Sequence, residues 1–390
     1  MDEFIHVILL LPIIFLNIYT YRTLIKQDEI LSPYTFFYIM ISIEFVGPLI
    51  YYLLLNGQSY KSFSEQSLIL YYIIALFLFC ISLIQIKSKP TIYLSRSRLC
   101  ERGRKKTIFN IYIVVVMVVV ILYLIRYRHQ LLLLNVLQGH SDNLIRSDTS
   151  GLIPHWYTVS TFTSLIIPSF YFYILNKIRS EFARFILFFA VAFLTIIDGN
   201  KGVFIYLVLF MFLYVYKLRM NQYTILATGA AFYIYYLLKS GTGSNLDIIF
   251  KSAIRRFFVT QGACFINRIE MLLVGYDFSQ ASRISADVYQ YMYHTSGGSA
   301  PTVFWGDIYV QYGLVVLLII IVISNWILYR LSCLIIKKYS NNLFLYWSYA
   351  SVAYMLCMSE LSFEHIFRYL AVLFNCLIFF VTVRKKSQIG

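Results

Sequence analysis

Between about Lys239 and Asp307 the chain sets Lys251, Arg255, Arg256, Arg268 and Arg283 among aromatic residues. Asp287 and His294 follow, then Ser296-Gly297-Gly298-Ser299-Ala300-Pro301 and a closing Trp305-Gly306-Asp307. A guanidinium holds two phosphate oxygens at once, and a histidine or carboxylate takes the proton of an attacking hydroxyl. Paired glycines let backbone amides approach an anion or a sugar closely, though they break a loop equally well. Three shorter stretches carry similar groups: His140, Asp142, Arg146, Asp148 and Gly151; Asp198-Gly199-Asn200-Lys201-Gly202; and Glu360, Glu364, His365 and Arg368. Each has a plainer reading. Arg146 would pair with an aspartate in a solvated loop, and lipid headgroups would satisfy the arginines between Asp247 and Leu273. Glu360 to Arg368 would be ion pairs closing two helix ends. The helical spacing of apolar residues from Asp247 to Leu273 predicts an amphipathic helix lying at the membrane interface.

The elements that must position these groups are helices in lipid. Of 390 residues, 60% are hydrophobic and 13% charged, with a mean hydropathy of +0.71. Apolar runs near residues 4–21, 34–55, 67–86, 108–126, 156–175, 184–197, 203–217, 223–238, 308–329, 343–359 and 364–383 predict about eleven transmembrane helices. Backbone groups in lipid must be satisfied within the chain, so the fold class is all-α, a polytopic membrane helix bundle. The first run follows Met1-Asp2-Glu3 and lacks a basic leader, so it reads as a retained helix. The runs flanking Asp198–Gly202 are short, which draws Lys201 below the outer surface into a recess; snorkelling of Arg179 and Arg184 is the alternative. With no repeat or linker, residues 1–390 read as one domain whose larger loops, about 127–155 and 239–307, carry the active site.

The charge excess is topological. Lys and Arg total 33 against 18 Asp and Glu, a net +15. Placing the basic run from Lys87 to Lys106 in the cytoplasm puts Arg22, Lys26, Lys177, Arg179, Arg184, Lys217, Arg219, Arg330, Lys337, Lys338, Arg384, Lys385 and Lys386 on the same side. The N-terminus is then outside, the C-terminus inside, and nucleic acid is not the partner. Of six cysteines only Cys264 falls in an outer loop, which excludes a disulfide between outer loops.

Several chemistries lack their signatures. The chain has no Gly-x-x-x-x-Gly-Lys-Ser/Thr, Asp-x-Asp, His-Glu-x-x-His, Cys-x-x-Cys or Gly-x-Ser-x-Gly. A reaction here is expected to use an already activated substrate, with no cofactor and no metal.

The stretch Ser296-Gly-Gly-Ser-Ala-Pro-Thr-Val-Phe-Trp-Gly-Asp-Ile-Tyr-Val-Gln-Tyr-Gly313, running straight into a helix, resembles the corresponding stretch of O-antigen polymerases, the Wzy family. The layout of many helices with two large arginine-bearing loops is similar too. That resemblance covers the chain as topology and about eighteen residues as motif. It implies an architecture like O-antigen ligases and GT-C-type glycosyltransferases, in a bacterial inner membrane with the active site facing the periplasm. It also implies transfer of a glycan from undecaprenyl pyrophosphate onto another lipid-linked repeat unit, with donor and acceptor both lipid-linked oligosaccharides. Membrane lipids, and a chain-length regulator protein, would be its other partners. On this reading Arg146, Arg283, His294 and Asp307 are catalytic, and Lys201, Arg255, Arg256, Arg268, Tyr309 and His365 bind pyrophosphate or substrate. The general base is open among His294, Asp307 and His365. A ligase with the same layout, or a flippase for the same lipid-linked sugar, is the alternative.

Overall fold

The computed structural model describes residues 3–27, 29–54, 63–88, 103–131, 153–175, 177–197, 201–218, 226, 229, 258–280, 283–296, 298–339, 342–358 and 363–382. The helices are α1 (Glu3–Lys26), α2 (Pro33–Leu54), α3 (Glu65–Lys87), α4 (Gly103–Arg126), α5 (Trp156–Leu175) and α6 (Glu181–Ile196). They continue with α7 (Lys201–Phe210, extended by the π-helical turn Met211–Val215), α8 (Thr260–Leu273), α9 (Ile284–Tyr293), α10 (Trp305–Tyr339), α11 (Leu343–Met358) and α12 (Phe363–Thr382). Six helices are long and apolar enough to cross a bilayer, and shorter apolar helices accompany them. Among the described residues there is no strand. Ten expected apolar runs are helical; the run 223–238 lies almost wholly outside the described residues, as do 132–152 and 230–257.

Local chemistry sets the helix ends. Ser64 caps α3 by accepting from the Ser67 amide, and Ser180 caps α6 by accepting from Ala183. The α4 core Ile111-Tyr-Ile-Val-Val-Val-Met-Val-Val-Val120 is β-branched enough for a strand in water. In lipid its backbone has no partner but itself, and it forms helix, with Val114, Val115, Val118 and Val119 exposed.

The chain clusters into two compact units interleaved in sequence. One comprises Met1–Ile92, Phe250–Cys333 and Ala353–His365; the other comprises Tyr93–Ile249, Leu334–Val352 and Ile366–Gly390. In the second, α5 carries a π-helical turn at Phe162–Ile166, and Trp347 Nε1 donates to the Leu165 carbonyl at 2.9 Å. Asn375 Nδ2 donates to Ser169 Oγ at 2.9 Å, and Phe109, Tyr173, Phe344 and Phe379 form an aromatic layer.

In the first unit, α2, α3 and α10 share a buried polar line. Tyr34 Oη donates to Asn325 Oδ1 at 2.5 Å, and Asn325 Nδ2 donates to Ser82 Oγ at 2.7 Å. Helix α8 is packed inside this unit. A Cβ on Gly262 would strike the Glu44 carbonyl, and one on Gly47 would strike the Phe258 carbonyl, so the α2 and α8 backbones touch where small residues permit it. Phe265 lies against Phe45 and Tyr71, while Glu270 reaches Ser64. Helix α8 therefore runs antiparallel to α3. Every residue from Gly262 to Ile269 is buried, so α8 does not lie along an interface as its periodicity suggested. Its polar face is consumed by partners distant in sequence.

Helix α10 is two helices. Gly313 stands at φ 79° and ψ −178°, outside helical geometry. Trp305 Nε1 donates to Ser324 Oγ at 3.1 Å, although nineteen residues of straight helix would separate these positions by about 28 Å. Residues 305–312 (α10a) thus fold back along residues 314–339 (α10b). The expected span at 308–329 is corrected accordingly: the long helix begins beyond Gly313, and 308–312 belong to α10a. The apolar run is continuous through Gly313, so hydropathy does not register the turn.

Candidate functional site

The residues that join α8, α10a and the segment 298–304 are ionisable and buried. Arg268, on α8, is 0% exposed and Asp307, on α10a, 2%. Arg268 Nε donates to Asp307 Oδ1 at 3.0 Å, while Nη1 donates to the carbonyls of Cys264 at 3.1 Å and Ala300 at 3.0 Å. Nη2 is buried with no hydrogen-bond partner among the described residues. Glu44, on α2, accepts at Oε1 from the Val303 amide at 2.7 Å and from Thr302 Oγ1 at 2.8 Å.

These contacts give backbone partners to a buried irregular segment. Non-helical backbone among apolar helices requires a partner for each donor and acceptor. The Ala300 amide donates to the Ser285 carbonyl, the Ala300 carbonyl accepts from Arg268, Val303 donates to Glu44, Phe304 donates to the Leu356 carbonyl, and Pro301 has no N–H. Gly306 sits where a Cβ would press on Thr302, Arg268 and Phe265. Glu270 completes the anchorage by accepting from the Ser64 amide at 3.0 Å and from Ser64 Oγ at 2.6 Å.

Helix α9 stands beyond this buried seam. Ser285 and Val288 are buried, Asp287 is half-buried and Gln290 exposed, while Arg283 precedes the helix in extended geometry and His294 follows its last turn. Arg283 and His294 are exposed, one at each end of the helix. His294 terminates it in the left-handed region at φ 55° and donates its amide to the Gln290 carbonyl at 2.8 Å. Tyr276 Oη donates to Asp287 Oδ2 at 2.9 Å, and that bond, ahead of burial, pushes the Tyr276 phenol above its ordinary value. Gly298 lies flat on the Tyr289 ring, where no Cβ fits. An exposed arginine at one end of α9 and an exposed imidazole at the other, with tyrosine rings between, are groups that can hold a polyhydroxylated ligand and accept a proton from it.

The structure separates the residues singled out in the sequence into groups. Arg268 and Asp307 form one buried pair, in which neither is presented to a ligand. Tyr309 is 8% exposed on α10a. Arg283 and His294 lie at opposite ends of α9. Lys201 heads α7 and His365 lies in the first turn of α12, with both side chains outside the described residues. Arg146, Arg255 and Arg256 lie wholly outside them. The guanidinium of Arg368 lies 5.7 Å from the Tyr157 ring centroid. Among the described residues no group of three or more His, Cys, Asp or Glu could hold a metal. Glu44 was not singled out by motif. Its signal was a lone carboxylate inside an apolar span, which has to find partners within the protein.

Comparison with protein-family profiles, curated proteins and solved structures finds no match for this chain.

Proposed function

We propose that this is a membrane glycosyltransferase, an O-antigen-type polymerase. It moves a glycan chain from undecaprenyl pyrophosphate onto a lipid-linked repeat unit at the periplasmic face of a bacterial inner membrane. The observation that carries the reading concerns Ser296–Gly313, the stretch that resembles the polymerases. It is tied to α2 and α8 through Glu44 and the Arg268–Asp307 pair, and next to it Arg283 and His294 stand exposed at the two ends of α9. On this reading the arginines outside the buried pair, Arg283 with Arg146, Arg255 and Arg256, meet the pyrophosphate, with Lys201 in support. Charge grows on the leaving pyrophosphate as the sugar–phosphate bond breaks, so fixed guanidinium donors stabilise the transition state more than the ground state. Each such bond contributes about 1.5–3 kcal/mol, and two or three account for several powers of ten in rate. His294, exposed at the end of α9, serves as general base toward the acceptor hydroxyl. Arg268 and Asp307 organise the site from beneath. The activated linkage supplies the driving force, so neither nucleotide nor metal takes part.

Deletion of the gene, read on a lipopolysaccharide gel, tests the reading. Core bearing a single repeat unit is the expected result. Bare core with lipid-linked polymer would make the protein a ligase, and bare core without polymer a flippase.

A further inference from the structure

We infer that residues 298–312 form a re-entrant element, loop in and helix out, and that Glu44 is its positioning residue. The inference deepens the proposed function and rests on it only for the activity arm of the test. Glu44 lies seven residues inside the end of the apolar span Pro33–Tyr51, about 10 Å along the helix. Tyr71 Oη donates to the Glu44 carbonyl at 2.9 Å, from a residue likewise more than a turn inside α3. Thr302 and Val303 therefore reach down to this level. Trp305 sits beside Phe37, Phe45 and Ser324, and α10a climbs back to Gly313, where the chain reverses into α10b. Irregular backbone at that depth persists only when protein groups replace water as its partners. Glu44 Oε1 does so for the Val303 N–H, and shares the Thr302 hydroxyl with the Gln261 carbonyl, just before the first turn of α10a. A carboxylate there also opposes the positive end of the α10a dipole. Its role runs through the segment it seats, which Ser299 and Ala300 tie to Ser285 of α9.

The test uses the full-length protein in nanodiscs with Val303→Cys, a position that is 0% exposed and donates to Glu44 through its backbone. Maleimide labelling at this cysteine is compared with labelling at native Cys333, which is buried elsewhere on α10b. Glu44→Leu, which removes the acceptor, should raise labelling at position 303 at least about tenfold while Cys333 stays protected, as expected when hydrogen bonds to a buried carboxylate are lost. Glu44→Gln, which keeps an oxygen acceptor for both donors, should preserve protection. Thr302→Val, a milder change that retains the fold, should give an intermediate rate. In the transfer assay Glu44→Leu should lower kcat with KM for the lipid-linked substrate unchanged, and Glu44→Gln should restore it. Protection at 303 that survives both Glu44→Leu and Thr302→Val would overturn the inference, as would Glu44→Gln behaving like Glu44→Leu. Transfer activity absent from the unmutated protein would count against the proposed function, and the labelling result would still decide the role of Glu44.

Discussion

Arg268 and Asp307 carry opposite charges and are both buried, and that governs what replacing them does. Removing one partner of a buried pair leaves the other charge uncompensated, at a cost of about 3–5 kcal/mol. Arg268→Met should lower the thermal unfolding temperature sharply, and Arg268→Met/Asp307→Leu should be less destabilised than the two single changes added together. Additive losses in a double-mutant cycle would show that the pair is not coupled. Exposed residues behave differently. His294 occupies the left-handed region, so His294→Gly keeps the turn and removes only the imidazole. The expected outcome is an unchanged melting temperature with polymer ladders lost; intact ladders would exclude the imidazole as general base. Arg283→Lys should also shorten the ladder, because a point charge does not replace a bidentate fork. The list of ionisable residues was legible in the sequence, but their division was not. Arg268, Arg283, Asp287 and Asp307 look alike along the chain, and only the fold shows that the first and last face each other across 39 residues of sequence.

At the scale of elements, hydropathy located the helices well, because a run of apolar residues in lipid has one way to satisfy its backbone. It erred where the chain turns without changing composition. Gly313 is flanked by Tyr312 and Leu314 in an apolar run, and the reversal into α10b depends on a backbone geometry that hydropathy does not record. Helix α8 was misread for the complementary reason. Its charged residues implied solvent or lipid headgroups, whereas Asp307 and Ser64 satisfy them inside the protein. Gly313→Ala should therefore cost about 1–3 kcal/mol, the usual penalty for an L-residue held at such φ and ψ, even though nothing crowds the site. Gly262→Ala fails for the opposite reason, since its methyl group meets the Glu44 carbonyl and forces α2 and α8 apart. Thermal unfolding in combination with Gly47→Ala, whose methyl group would meet the Phe258 carbonyl, separates the mechanisms: its cost should add independently to that of Gly313→Ala but combine non-additively with Gly262→Ala, which forces the same two backbones apart.

For the whole molecule, the positions of the 33 basic residues and the burial of the cysteines make one joint prediction about access and energy. Cysteines introduced as Ser244→Cys and Ser299→Cys should react with an impermeant maleimide in spheroplasts. Native Cys100 should not react if the basic run around it lies in the cytoplasm, as the positive-inside rule predicts. Cys264, in the segment the charge pattern predicts to be outside, should also stay unreactive, since it is 1% exposed. Labelling of Cys100 alone would reverse the orientation. On the proposed function the reaction takes place on the side of the membrane remote from cytoplasmic nucleotides, and the lipid-linked pyrophosphate carries the stored energy. Purified protein should therefore extend undecaprenyl-pyrophosphate repeat units in EDTA and without ATP, with basic side chains clamping the developing phosphate charge as a metal ion would. Arg146→Ala and Lys201→Ala should each lower that metal-independent rate, and Lys201 is the sharper test, because it heads a short helix rather than a loop. Activity that disappears in EDTA and returns with magnesium would transfer the electrostatic role to a bound ion. Asp287, Asp198 and Glu360 would then be the carboxylates to test as its ligands, since Asp307 is already committed to Arg268.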